Sequence, residues 1–343
     1  MAATNISNLW TPAIWINAAN EGQATFANVV NSRAVIDLAN LTQLATGGGT
    51  SGNVPTWKDI TDGDEEIQVE STAATVGNIT TVNQNVPILN RQKAWGATAL
   101  SAGVSGSDPI GQIGKQLGAS RSKRQQKIVL ALLRGAFAGL GAAGASAALS
   151  AVRSDLFIEA GNSATSANLI SADAFINAKA LLGELGDTLQ NGAIFMHSAV
   201  RAALEKLDAS SFKSGVQSGL PFTVKTYKDI PVFTCDALVR AGTTNGYVYE
   251  TYILAEGVIG RGQKPQSNNV GDVASLVREE DGSKNDVFLY DRQRLAIHLN
   301  GMIWGGTPAG QSATNAELGT AASWTLAYTT ANRVGAVLLR TNG

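Results

Sequence analysis

From residue 109 to 154 the chain carries seven Lys or Arg and not one Asp or Glu, and most of that stretch has the pattern of one uninterrupted helix. Asp108 is placed to cap the free N–H groups, and Pro109 at the first helical position loses no hydrogen bond. From there to Phe137 the helix spans ~45 Å at ~1.5 Å per residue. Ile110, Ile113, Leu117, Ile128 and Leu132 share one stripe, which Arg121 and Arg124 interrupt. Lys123, Lys127 and Arg134 line a neighbouring face. Just upstream, Asp59, Asp62, Asp64, Glu65, Glu66 and Glu70 lie in a strand-like segment whose only base is Lys58. Any one of the helix bases reads most simply as part of a solvated face. As a group without acids at i±4 they call for an acidic partner from outside the helix. A helix made to be crossed by another segment, quite conceivably from another copy, points to assembly before any catalysis is sought.

Composition agrees with assembly. Hydrophobic residues make up 44% of the 343, enough for a real core, yet charged residues are only 15%, against a usual ~25%. Surfaces of small uncharged residues lose little side-chain entropy when a partner covers them. The formal net charge of −1 excludes a globally basic nucleic-acid binder, and a single cysteine, Cys235, excludes an intrachain disulfide framework or a Cys-based zinc site. The first eight residues lack the basic and apolar regions of a signal peptide, and the apolar runs are too short or Gly-broken to span a bilayer. Synthesis in a cytoplasm, without membrane insertion, is the expectation.

Along the chain, residues 1–46 show weak helical periodicity (Trp10, Ile14, Trp15; Val30, Ala34, Leu38) and read as an arm. The Gly-rich run 47–52 reads as a flexible hinge. Between 53 and 100, short β-type runs such as Val54-Pro55-Thr56-Trp57 and Val86-Pro87-Ile88-Leu89 hold too little apolar content for a core, so an extended two-stranded loop is expected. The Gly/Ala run 135–151 is left open between poor helix and pliable connection. Ser171 starts a second helix, 193–196 is a buried strand, and a helix follows from Ser198 to Leu207. Strands follow at 223–227, 231–234, 247–255, 287–290 and 294–299, with a polar loop over 262–286. Thr314-x-x-Glu317 is a capping box for a short helix reaching about Ser323, and a final strand begins at Ala336. Helices and strands without βαβ alternation make the class α+β.

Catalytic chemistry is thin. His197 and His298 are the only histidines and have no i, i+4 partner, so structural roles are expected. Cys235 reads as a small buried residue. The chain has no G-x-S-x-G, P-loop or H-E-x-x-H. The acids at 62–66 lack the spacing of a calcium loop. No enzyme, cofactor or metal is expected.

The ordered parts resemble the major capsid proteins of tailed bacteriophages, whose shared architecture is the HK97-like fold. The motifs are Val54-Pro-Thr-Trp57-Lys-Asp-Ile60 entering the loop, Lys93-Ala-Trp95 leaving it, and Gly106-Ser-Asp-Pro109 before the helix. Arg124-Gln-Gln-Lys127 and Leu132-Leu133-x-Gly135-x-Phe137 lie inside it. Met196-His197-Ser198-Ala199-Val200 and Ser312-x-Thr314-Asn315-Ala316-Glu317-Leu318, with Trp324 close behind, follow in order. The resemblance implies an N-terminal arm and hinge (1–52), an extended β-loop (53–100), a spine helix and peripheral domain (101–195), an axial domain (196–289) and a return to the peripheral domain (290–343). It implies copies of the chain in pentamers and hexamers forming an icosahedral virion shell around double-stranded DNA, assembled in a bacterial host. A separate scaffolding protein, a portal protein and possible decoration proteins are the implied partners. Intersubunit contacts are expected at Trp57, Asp59, Asp62, Asp64, Glu65, Glu66 and Glu70, meeting Arg121, Lys123, Arg124 and Lys127 of a neighbour. No covalent crosslink is expected, since Lys58 and Lys93 have no identifiable partners. An encapsulin-like cellular compartment enclosing a cargo enzyme is the alternative.

Overall fold

The computed structural model describes residues 29–58, 60, 64–70, 73–98, 109–139, 147–215, 224–282 and 285–343. The expectations for residues 1–28, the Asp108 cap, the motif at 106–108, Asp59, Asp62 and residues 140–146 of the Gly/Ala run lie outside them. The spine helix spans Pro109–Phe137, as the pattern predicts. Its second half is buried nearly all round, from Ile128 to Leu133 and again from Gly135 to Phe137. A helix apolar on every side belongs in the middle of a fold, and this one lies between two sheets.

The first sheet contains strands Val35–Asp37, Ser51–Trp57, Thr81–Thr98, Ile259–Gln263, Leu276–Asp281 and Asp286–Leu299. Two long strands organise it. Thr81–Thr98 pairs with Ser51–Trp57 along its first part and with Asp286–Leu299 along the rest, from Ile88↔Ala296 to Thr98↔Asp286. The hairpin that carries the extended loop is therefore a continuation of a core strand. Side chains alternate across this sheet. Leu89 and Leu295 belong to the main core with the spine helix, whereas Val86 and Ala296 meet Leu41 and Ala45 of helix Ala39–Thr46 on the other face.

The second sheet runs in the order Arg153–Asp155, Ala336–Thr341, Tyr247–Leu254, Ala193–Met196, Ile230–Thr234, Val224–Tyr227, Phe212–Gly215, with Val239–Ala241 also on Tyr247–Leu254. The two-residue turn Lys228-Asp229 joins its strands with both φ values positive, 47° and 65°, the backbone that matches strand twist in tight hairpins. Helix Ala172–Ala180 has the expected Ser171 cap, and Asn315–Leu318 the expected Thr314–Glu317 capping box, though that helix stops at Leu318 and a 3-10 turn follows at Ala321–Ser323.

Strand pairing joins distant segments: strands within 259–299 lie in the loop-bearing sheet, and Ala336–Thr341 lies inside the sheet of 193–254. Pairing is non-local, and a strand's own pattern does not say which sheet accepts it. Two expectations need correction. The polar loop of 262–286 contains the strand Leu276–Asp281, and its remainder is gathered on Asp272, which accepts from Lys264 Nζ (2.6 Å) and Ser267 Oγ (3.0 Å). The glycine run is no open hinge: the Arg294 guanidinium, itself buried, donates to the carbonyls of Ala45 (2.8 Å), Gly47 (2.8 Å) and Gly49 (2.9 Å). One side chain holds a segment whose composition favours freedom.

Candidate assembly site

The extended loop leaves the sheet at Trp57, which is 62% exposed, and returns at Thr81. Asp64, Glu65, Glu66 and Glu70 are all exposed and lie outside any strand or helix. Glu66 accepts from the Thr75 amide (3.0 Å), which ties the two arms of the loop and lowers the Glu66 carboxyl below its ordinary value through that residue's hydrogen bonds. Ile67 and Val76 are 89% and 86% exposed, and Ile60 and Val69 are also open to solvent. So much apolar side chain on one slender loop is the mark of a surface that something covers.

The helix bases separate into two groups. Arg121 is fully buried and its guanidinium grips Asp291, with Nη2 at 2.7 Å and Nε at 3.2 Å from the carboxylate. Arg124 also donates to Asp291, and Gln266 Nε2 adds a further bond at 2.8 Å. Near the helix end Arg134 Nε meets the buried Glu250 at 3.0 Å. The missing acids are thus in the same chain, on distant strands: Asp291 belongs to the first sheet and Glu250 to the second. Arg121 is excluded as an intersubunit contact, because no surface of it remains. Sequence reading missed Asp291, although Leu289, Asp291, Gln293, Leu295 and Ile297 alternate along one face. Two polar residues on an otherwise apolar strand face require buried partners, and taking residues 287–299 as two separate strands hid that pattern.

Lys123 and Lys127 are exposed. With Arg124 they border a groove of about 560 Å³ whose floor includes Trp95, Ile113 and Leu117. The Arg124 guanidinium sits 5.6 Å from the centre of the Trp95 ring, a cation–π distance. The groove thus joins apolar floor to basic rim, the complement of a loop that alternates acids and aliphatics.

The remaining candidates for chemistry are structural. His197 caps helix Ser198–Leu207, its Nδ1 accepting from the Ala199 amide at 3.0 Å. Cys235 is buried and accepts from Gln126 Nε2, and burial raises its thiol. Among the described residues no group of His, Cys, Asp and Glu is placed to hold a metal ion, and no helix is long and apolar enough to cross a membrane. His298 is buried at the root of the loop hairpin. Its Nε2 donates to Gln84 Oε1 (2.6 Å), which also accepts from the Gly301 amide (3.0 Å), while Gln84 Nε2 donates to Thr56 Oγ1 (2.9 Å). Burial pushes the His298 pKa down to about 4. An unfolded histidine titrates near ~6.5, so between these values the unfolded chain binds the extra proton. Stability is then full above ~6.5 and declines as pH falls toward 4. His298→Gln is expected to flatten this part of a melting-temperature profile, and equal slopes in the two proteins would place the acid sensitivity elsewhere.

No family model matches the chain. The capsid of Ralstonia phage GP4 superposes with a TM-score of 0.60 at 10% identity, covering 92% of this chain and 91% of that one. The Cyanophage Pam1 capsid gives 0.52 at 11% identity, covering 100% and 99%. The fold is HK97-like. In sequence, the chain is 27% identical over 334 residues to the major capsid protein of Bacillus phage SPP1, covering 96% of this chain and 95% of the relative. The resemblance read from ordered motifs therefore holds over nearly the whole chain. In HK97-like terms, the hairpin from Ser51 to Thr98 is the extended loop, and Pro109–Phe137 is the spine on which both sheets are mounted.

Proposed function

We infer that this chain is the major capsid protein of a tailed bacteriophage, a structural subunit that self-assembles into an icosahedral head around double-stranded DNA. The observation that carries this reading is end-to-end similarity to a phage major capsid protein, joined to a loop whose aliphatic side chains its own subunit leaves in water. That similarity favours the phage head over a cellular cargo compartment. The subunit sits in pentamers and hexamers, with the sheet of 193–254 and 336–341 as the axial part and the loop-bearing sheet with the spine as the peripheral part. A separate scaffolding protein, a portal and non-specific contact with packaged DNA complete the assembly, with decoration proteins as optional additions. The working location is the virion, reached by assembly in the host cytoplasm, and the role requires no catalysis.

The contact that builds the shell joins Trp57 and the acids of 59–70 to the groove beneath Lys123, Arg124 and Lys127 of a neighbouring copy. Exposed ion pairs contribute little each, ~0–1 kcal/mol, and fix register more than affinity. Covering apolar area at ~25 cal/mol per Å² supplies more. A modest contact becomes a durable container when a closed symmetric shell repeats it. Reversing Asp64, Glu65 and Glu66 together to lysine is expected to abolish shells seen by electron microscopy while leaving a folded subunit, and normal shells would remove the loop from the contact. Neutralising Lys123 and Lys127 tests the DNA side: shells that form but package poorly would assign these lysines to the genome.

A further inference from the structure

Beside the groove lies a smaller cavity of about 160 Å³, lined by Arg91, Arg124, Lys127, Gln293 and Asn315 among others. Arg91 and Gln293 stand opposite each other in the strand ladder. Gln293 is 2% exposed, and its Nε2 has no hydrogen-bond partner. Arg91 Nε is likewise buried and unpartnered, while Arg91 Nη2 donates to Ala313 O (2.6 Å) and Asn315 Oδ1 (3.0 Å). Buried donors are nearly always satisfied in native proteins, so these two call for an acceptor from outside the neighbouring side chains. Among the described residues no carboxylate lines the cavity. Nearby Asp291 is committed to Arg121, Arg124 and Gln266, and Glu317 to its capping box and the Ala309 amide. At ~30 Å³ per water the space is ample for a carboxylate side chain.

We propose that this cavity is a socket for one carboxylate side chain, Asp64, Glu65 or Glu70, from the extended loop of a second copy of the chain. The proposal rests on the shell reading above and adds the receptor residues Arg91 and Gln293. Arg124 and Lys127 line both cavities, so the socket adjoins the groove. An acid seated in the socket lays the neighbouring Ile67 and Val69 along Trp95, Ile113 and Leu117. Glu66 is already engaged with the Thr75 amide and is not the plug. In the folded subunit Asp64, Glu65 and Glu70 stay exposed and none of them lines the cavity. A second copy supplies the occupant.

The test uses shells assembled from the full chain with Lys127→Cys combined in turn with Asp64→Cys, Glu65→Cys or Glu70→Cys under mild oxidation, and with Lys127→Cys alone as the control for Cys235. At least one pair is expected to give a ladder of covalently joined chains on non-reducing gels that the control lacks. Normal shells without a ladder from any pair overturn the socket and leave the shell reading standing. Failure of the unmodified chain to form shells overturns both. A second measurement covers pairs that fail to assemble: Gln293→Leu removes the unmatched donor. Its subunit is expected to melt no lower, while the concentration needed for assembly rises several-fold. A lower melting temperature with unchanged assembly would give Gln293 a structural role and overturn the proposal.

Discussion

Asp291→Ala is expected to destabilise the folded subunit by about 3–5 kcal/mol, the range found when one partner of a buried ion pair is removed. The loss is large because Arg121 stays behind, fully buried, without the carboxylate that balances its charge. Arg124 and Gln266 lose an acceptor at the same moment. The spine helix is held to the loop-bearing sheet at this point, so the damage spreads from electrostatics to the seating of the helix. Urea denaturation followed by circular dichroism measures it, and a change below about 1 kcal/mol would show that packing alone seats the helix. Replacing both partners, Arg121→Met with Asp291→Leu, is expected to cost much less than the sum of the single changes, because the buried charge of Arg121 is then gone and only the part-exposed Arg124 loses its carboxylate. The pair also has a pH signature. Burial by itself would raise the Asp291 carboxyl, but the charge and hydrogen bonds of Arg121, followed by those of Arg124, outweigh it and hold the group below its ordinary value. A depressed carboxyl contributes its full stability above the unfolded value of ~3.9 and loses it as pH falls through the lower folded value. Acid destabilisation below pH ~4 is expected to be smaller in the doubly substituted protein.

Gly135→Ala is expected to be nearly as damaging, about 3 kcal/mol, although alanine is the better helix former by ~1 kcal/mol. A methyl group at Gly135 would lie 2.1 Å from the Leu318 carbonyl oxygen and 2.3 Å from Trp324 Nε1. Those two atoms are themselves joined by a 2.7 Å hydrogen bond. A carbonyl on the backbone cannot swing aside as a side-chain tip can, so the helix must back away from the segment 315–324 or the Trp324 bond must break. Overpacking of this kind usually costs ~1–3 kcal/mol, occasionally more, and the indole N–H left unpaired adds to it. A shifted urea midpoint together with altered tryptophan fluorescence would be the signature. An unchanged midpoint would mean that the helix end can move freely.

These two positions show what sequence could and could not reveal. Features encoded locally were legible: the bounds of the spine helix, the Ser171 cap and the Thr314–Glu317 capping box all depend on residues within a few positions of one another. The resemblance was legible because motifs recur in a fixed order. What escaped was pairing across distance. Arg121 belongs with a carboxylate 170 residues away, and nothing on the helix distinguishes it from Lys123, which faces outward. The strand Leu276–Asp281 was hidden among polar residues because only its first two, Leu276 and Val277, are buried. The glycine run read as freedom because its restraint, Arg294, lies on another element. At the candidate contact Asp64, Glu65, Glu66, Glu70, Lys123 and Lys127 are exposed whereas Arg121 is buried, and Arg91 and Gln293 gave no sign until the ladder set them face to face.

The position of Ala336–Thr341 in the second sheet bears on how the subunit is made. This strand fills the space between Arg153–Asp155 and Tyr247–Leu254. As the chain leaves the ribosome, Tyr247–Leu254 emerges long before the strand that will cover its open side. Until residues 336–341 arrive, that strand presents a row of unpaired amides and apolar side chains, the kind of edge that recruits other chains. Long-range pairings of this sort close late. An incomplete sheet of this kind is open to pairing with another chain until residues 336–341 add to it. Aggregation during folding is therefore expected to fall most heavily on variants that weaken this strand.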